Sequence, residues 1–457
     1  MNAELFQDAA FARAESGIAR ARAAALELLE ELVRIPTVNP PGAHYMECAL
    51  LLAQRLRDLG LDPRLVEIPR HELEHLGLDP SCPRPSVIAT IAPSGHPPPT
   101  GEARAASGGG SEARDPAAAQ EIPTLHFHGH YDVVPVQTST LFSLRVNGDY
   151  AYGRGTADMK GGLVSIFLAA AALMRLRARL RGRVVISFVP DEETGGAAGT
   201  EYLLRSGALP SASLGMLMPE PTGGVVWNGN RGALSLQLTV HGRMAHVALQ
   251  HRGRNAFEGL LELGQLLREL KQEVEGRRFA GEDLGLEGPP SILLIGGTCH
   301  GGMNFNVVPE AMTFTIDRRF HPAEPLEAAE RELEALLRRF RRSGWKLETK
   351  WLQRGEASLT PRDAPLVAAV TGAIESLAAR PTVALCPGIL ESRFFLRHRT
   401  PGIAYGPGEL EVSHSPTERV AIGRLLEVAR TYARTAWAMI GPDADPPAPP
   451  HETAARR

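Results

Sequence analysis

Short apolar runs that end in polar, acid- and imidazole-bearing loops alternate with helix-like stretches through most of this chain, and that alternation most constrains its fold. Thr124 to His130 reads as a strand and Lys160 to Leu180 as a helix, with Leu163, Ile166, Phe167, Ala170 and Leu173 on one face. Arg183 to Val189 is again a strand, Gly199 to Arg205 a short helix and Leu214 to Met218 a short strand. A β-α-β rhythm of this kind predicts an α/β domain with a doubly wound, mostly parallel sheet covered on both faces. Upstream, Phe11 to Val33 and Tyr45 to Leu59 read as helices, the second closed by Gly60, and Arg64 to Ile68 and Ser86 to Ile91 as strands.

The rhythm restarts between residues 231 and 353. Strands are expected at Ala233 to His241, Ser291 to Ile295, Ala311 to Ile316 and Trp345 to Leu352, with helices at Ala256 to Val274 and Glu324 to Arg341. Four strands and two helices make a compact α+β unit inserted into the first domain. The expected organisation is therefore 1–230 and 354–440 as one catalytic domain, 231–353 as the inserted one, and 441–457 as a disordered tail. The doubly wound pattern resumes with a helix at Ala364 to Ala378. Residues 93–120, rich in Gly, Pro, Ala and Ser, cannot bury a core and read as a disordered surface insertion.

Composition excludes several classes. The 457 residues carry a formal charge of -3, so no basic field draws in nucleic acid or anionic membrane. No run approaches 18 uninterrupted apolar residues, so no membrane span is expected. The four cysteines form no C-x-x-C pair, which argues against a zinc ribbon and a disulfide framework. Met1 to Ala10 lacks the basic and apolar regions of a signal peptide, and the cytoplasm is the expected compartment.

Five loops carry chemistry. His130 and Asp132 in His128-Gly129-His130-Tyr131-Asp132-Val133-Val134-Pro135 lie two apart at a strand end and can share a site. Asp158 precedes a helix in Gly153-Arg154-Gly155-Thr156-Ala157-Asp158-Met159-Lys160-Gly161-Gly162, where alone it reads as a cap. Asp191-Glu192-Glu193 follows an apolar strand, and such a run repels itself without cations; one acid could ligate a metal while its neighbour acts as general base. Glu220, in Met218-Pro219-Glu220-Pro221-Thr222, follows a short strand, and His414 lies in Ser413-His414-Ser415-Pro416-Thr417-Glu418. Singly, each reads as an ordinary polar loop. Together, imidazoles and carboxylates without cysteine suit catalytic zinc, cobalt or manganese, and two His with three carboxylates suit two ions sharing one carboxylate.

The order of these motifs resembles the dinuclear zinc family of acetylornithine deacetylase, succinyl-diaminopimelate desuccinylase, aminoacylase and glutamate carboxypeptidase. The likeness runs from about Leu32 to Ile422. It implies two divalent ions, zinc with cobalt or manganese able to substitute. His130 and Glu220 would hold one, Glu193 and His414 the other, with Asp158 shared and its peptide to Met159 cis. Asp132 would orient His130, and Glu192 would be the general base. In the inserted domain, which the resemblance makes a lid and dimerisation domain, His246 would reach a partner's site in a homodimer. Asn306 would contact substrate and Arg319 would clamp its carboxylate, with Arg318 adjacent. Gly388 would border the substrate, in a loop where Glu391-Ser392-Arg393 departs from the family's usual acid-and-arginine pattern. Pro219 also stands where Gly is common, and the Trp often found before Gly153-Arg154-Gly155 is absent. The implied activity is amide hydrolysis of a small, carboxylate-bearing N-acyl amino acid. A dipeptidase or carboxypeptidase is the alternative, and a non-catalytic metal-binding homologue a third reading.

Overall fold

The computed structural model describes residues 6–94, 122–136, 138–279, 284–285 and 289–442. Most of the expected insertion at 93–120, and the tail beyond residue 442, lie outside them. The chain divides into two compact units: 1–228, 360–383 and 394–457 form the first, and 229–359 with 384–393 the second. The second unit thus takes in a segment, 384–393, that the sequence reading assigned to the first.

In the first unit the strand order is Arg64–Glu67, Pro85–Ile91, Arg183–Val189, Thr124–His130, Gly215–Met218, Gly402–Ala404 and Val225–Asn230. The middle strands are parallel: Thr124–His130 pairs with both Arg183–Val189 and Gly215–Met218, which in turn pairs with Gly402–Ala404. Antiparallel strands extend this centre on both sides. Every residue of Thr124–His130 is buried, as expected for a strand with both faces covered.

Helix Lys160–Leu176 buries most of its circumference, far more than the single apolar face read from sequence, because it packs under the N-terminal helices and the last helix, Ile422–Ile440. With its short extension to Arg179 it is long and apolar enough to cross a membrane by composition, but here it is a core helix. The expected Phe11–Val33 helix is two helices, Ala9–Ala19 and Arg22–Arg34. The buried stripe Phe11, Ala14, Ile18 would continue onto positions 21 and 22 of an unbroken helix. The break leaves Arg22 exposed, where it donates to the Gly148 carbonyl.

In the second unit an antiparallel sheet has the order Ile292–Gly301, Ala311–Phe320, Gly232–His241, Lys346–Gly355. Helices Ala256–Gly276 and Leu326–Arg342 contribute to its core. Leu263 and Leu267 from one, and Leu333, Leu337 and Phe340 from the other, pack with Leu236, Leu238, Phe314 and Ile316 of the sheet. Their i, i+4, i+7 spacing produces the stripe that the sheet covers. The strands run longer than the sequence suggested, because their polar ends continue the backbone ladder after the apolar pattern has stopped.

Candidate metal centre

Four neighbouring strands of the first unit run parallel, so their carboxyl ends open onto one edge of the sheet, where ligands of α/β folds bind. His130 ends one strand; Glu192 and Glu193 follow Val189, and Glu220 follows Met218. Asp158 enters from the turn before helix Lys160–Leu176, and its peptide to Met159 is cis. His414 sits in a loop with a left-handed backbone, φ 61°.

The side chains form two groups with one member in common. Single ligand atoms of His130, Asp158 and Glu220 lie within 4.8 Å of one another, as do those of Asp158, Glu193 and His414. Asp158 Oδ1 is 3.2 Å from His130 Nε2, and its Oδ2 is 3.2 Å from His414 Nε2. Glu193 Oε2 is 3.2 Å from His414 Nε2, and Glu220 Oε1 is 3.9 Å from His130 Nε2. Glu192 Oε2 is also 3.9 Å from His130 Nε2. The site is asymmetric, since the His130 side chain is fully buried and that of His414 is half exposed.

Asp132 does more than face His130. Its backbone carbonyl is 3.1 Å and its Oδ1 3.4 Å from His130 Nδ1, which leaves Nε2 for the site. The same carboxylate accepts the backbone N–H of Glu192 at 3.2 Å and of Glu193 at 3.1 Å. Asn39 donates to Asp132 Oδ2 at 2.8 Å and to Thr194 Oγ1 at 2.9 Å. Asp191, left-handed at φ 68°, is anchored by a buried pair with Arg84 at 2.6 Å and by the Tyr45 hydroxyl at 3.1 Å. Burial and the nearby Asp132 push the Asp191 carboxyl up to about 6. Sequence held no signal for Arg84 or Asn39 beyond their types, since their partners lie more than ninety positions away.

Glycines let the loops close. A Cβ on Gly406 would stand 2.1 Å from the Glu220 carbonyl oxygen, and one on Gly162 would stand 2.4 Å from the Pro219 oxygen. The unusual Pro219 is therefore gripped between two glycines, and Glu220 is fixed by backbone packing.

Electrostatics test whether cations fit here. Burial opposes charge on His130, but Asp132, Asp158, Glu220 and Glu192 outweigh it and hold the imidazole well above its ordinary range. Hydrogen bonds to Asp158 and Glu193 push His414 up to about 10. Burial and the charge of Asp158 push Glu193 up to about 7. Burial disfavours the Asp158 carboxylate, yet the two histidines hold it below the usual range. So many acids converge that positive charge is required between them. Glu193 Oε1, moreover, is buried with no hydrogen-bond partner among the described residues. Carboxylate oxygens and imidazole nitrogens without sulfur are the donor set of a catalytic divalent ion, whose charge would displace those protons.

The second unit holds the other nominated residues. His246 pairs with Val307 in a short ladder, and the Val247 N–H donates to the Asn306 carbonyl at 3.0 Å, so His246 and Asn306 are neighbours. His246 is exposed. Arg318 and Arg319 alternate on their strand: Arg318 is fully buried against Glu324 and Glu332, at 2.7 and 2.8 Å, while Arg319 forms a two-pronged pair with Asp317 on the other face. Gly388 has neither a left-handed φ nor a close neighbour that demands glycine.

A parallel-centred α/β sheet whose strand ends gather two carboxylate–imidazole groups around one shared acid defines a metal-dependent hydrolase. Comparison narrows the class. Residues 126–438 match peptidase family M20/M25/M40, and the chain belongs to this family. It is 28% identical over 430 residues to succinyl-diaminopimelate desuccinylase of Bordetella petrii, covering 91% of this chain and 97% of that one. Human carnosine dipeptidase 1 shares the fold with a TM-score of 0.68 at 16% identity, over 94% of this chain and 98% of that one. A dinuclear metal-binding peptidase of family M20 from Bacillus subtilis matches with a TM-score of 0.59 at 17% identity, over 92% and 98%. The protein is a hydrolase of amide bonds.

Proposed function

We propose that the protein is a deacylase that releases the free amine from an N-acyl amino acid, with the metal centre as its active site. The observation that carries this reading is Asp158, whose two oxygens each lie 3.2 Å from a different imidazole. Two divalent ions, zinc with cobalt or manganese as substitutes, would be held by His130 and Glu220, by Glu193 and His414, and by Asp158 between them; they would supply acidity to water and polarise the amide carbonyl. Glu192 takes the proton of the attacking water and delivers it to the leaving amine. Asp132 keeps His130 and the Glu192–Glu193 backbone in place. His246 donates a hydrogen bond to the developing oxyanion, Arg319 binds the substrate carboxylate, Asn306 contacts the substrate, and Gly388 borders it. The acyl specificity rests on the desuccinylase relative, which aligns over nearly the whole chain.

The second unit acts in this reading as the lid and dimerisation domain, with His246 serving the partner's site. Its edge strand Ile292–Gly301 leaves a ladder side open among the described strands, and Leu294, with Phe257 and Leu261 on helix Ala256–Gly276, is exposed. Cys48, Cys82, Cys299 and Cys386 carry thiols and not disulfides, two of them buried, which fits a reducing cytoplasm. The deciding experiment is hydrolysis of a panel of N-acyl amino acids, N-succinyl compounds included, and of dipeptides by zinc- or cobalt-loaded protein. Turnover of acyl substrates is expected. Turnover of dipeptides alone would make the protein a dipeptidase, and turnover of none would end the catalytic reading.

A further inference from the structure

Among the charged residues of the sequence motifs that the proposed chemistry does not use are Arg154 and Glu418. They stand 264 positions apart and form an ion pair in the first unit. Arg154 is 3% exposed and Glu418 1%. Taking two such charges out of water is costly, and an apolar pair of the same volume would serve packing as well. Their remaining contacts indicate what the pair is for. Glu418 Oε1 accepts the backbone N–H of Ala157 at 3.0 Å and of Asp158 at 3.1 Å. Glu418 Oε2 faces Arg154 Nη1, and Arg154 Nη2 donates to the His414 carbonyl at 3.3 Å. The Glu418 carbonyl in turn accepts the N–H of Gly153 at 3.2 Å. One carboxylate and one guanidinium thus connect the backbone of the shared acid to the backbone of the half-exposed histidine.

We propose that Glu418 and Arg154 are positioning residues that hold Asp158 and His414 in register, so that the outer of the two groups, Asp158–Glu193–His414, is formed before an ion arrives. The inner group is held differently, by strand pairing at His130 and by the Gly406 contact at Glu220. The clamp therefore acts more strongly on the outer group, where it holds both Asp158 and His414, than on the inner one, which shares only Asp158. The proposal rests on the reading of these side chains as metal ligands.

The test titrates metal-free protein with cobalt(II), followed by calorimetry and by visible absorption, alongside thermal melting of the same metal-free samples. The variants are Glu418→Gln, which keeps the volume but sets an amide N–H₂ against either Arg154 or the Ala157 and Asp158 N–H groups, and Arg154→Lys, which keeps the charge but cannot reach Glu418 and the His414 carbonyl with separate nitrogens. In each, one of two cobalt sites is expected to weaken 10- to 100-fold with a changed absorption band, while the other weakens markedly less. Equal affinities in wild type and both variants would overturn the proposal. So would equal weakening of both sites, or loss of folding in both variants, since either assigns the pair to the scaffold. Wild-type protein that bound no cobalt would instead fail the ligand assignment itself.

Discussion

Asp132 Oδ2 accepts the backbone N–H of Glu193 at 3.1 Å, while the Asp132 carbonyl faces His130 Nδ1 at the same distance. One residue thus sets an imidazole from one strand end against the carboxylates of the next. Replacing it should disturb both. Asp132→Ala is expected to lower kcat and to weaken metal binding, each about 10- to 100-fold. Steady-state kinetics with metal analysis of dialysed protein checks this; unchanged metal content together with unchanged kcat would contradict it.

Glu192 offers the opposite separation. Its carboxylate is 3.9 Å from His130 Nε2 and belongs to neither ligand group. Glu192→Ala should reduce turnover by about 100- to 10,000-fold while the bound metal, measured by elemental analysis, stays at the wild-type ratio. Loss of metal in this variant would make Glu192 a ligand.

Chelation should silence the enzyme, and acid should do so reversibly. His130 and His414 are both pushed up by the acids around them, His414 to about 10, so protons compete with cations for these nitrogens. Apparent metal affinity should fall as pH is lowered, which calorimetric titration across a pH series would show. A pH-independent affinity would exclude histidine ligands.

Gly406 and Gly264 predict opposite outcomes for the same substitution. Gly406→Ala drives a methyl to 2.1 Å from the Glu220 carbonyl oxygen, so activity and stability should both fall, the latter by about 1–3 kcal/mol. Gly264 lies within helix Ala256–Gly276 with nothing within 4 Å of an added Cβ. Gly264→Ala should stabilise by about 0.5–1 kcal/mol. Denaturant midpoints of the two variants decide the matter.

Buried His126, hydrogen-bonded to Ser213 at 2.9 Å, is held down at about 3 by burial and by neighbouring His128. The unfolded chain takes up this proton near the ordinary 6.5, so the folded state is disfavoured as pH falls below that value. His126 thus costs no stability above pH 6.5 and progressively more towards pH 3. The slope is at most about 1.4 kcal/mol per pH unit. His126→Gln, which does not titrate, should flatten the urea midpoint between pH 4 and 6.5; a slope equal to wild type would refute the assignment.

How much of this was legible in the sequence follows from how far each signal reaches. The proposed site residues His130, Glu192, Glu193 and Glu220 could be read because each sits where an apolar run stops, and a local pattern marks that position. The parallel centre of the sheet followed from the same pattern. The clamp between Arg154 and Glu418 could not be read as a contact, although both residues lie in recognisable motifs, because pairing across 264 positions leaves no local trace. Short strands such as Thr382–Cys386 and Gly402–Ala404, and the closing helix Ile422–Ile440, went unread. Those two strands have too few residues to show alternation. The division of Arg318 and Arg319 into a buried and a partly exposed member needed the strand register, which their adjacency in sequence hides.

The shared carboxylate also has a consequence for biosynthesis. Its two imidazole neighbours, His130 and His414, are 284 residues apart in the chain. At about 5–20 residues per second, a ribosome delivers the second roughly 15–60 s after the first. For most of that interval Asp158 and Glu193 exist without the histidine that completes their outer group. The nascent chain carries an acidic cluster with half its counter-charge, and the centre can close only after His414 has been made.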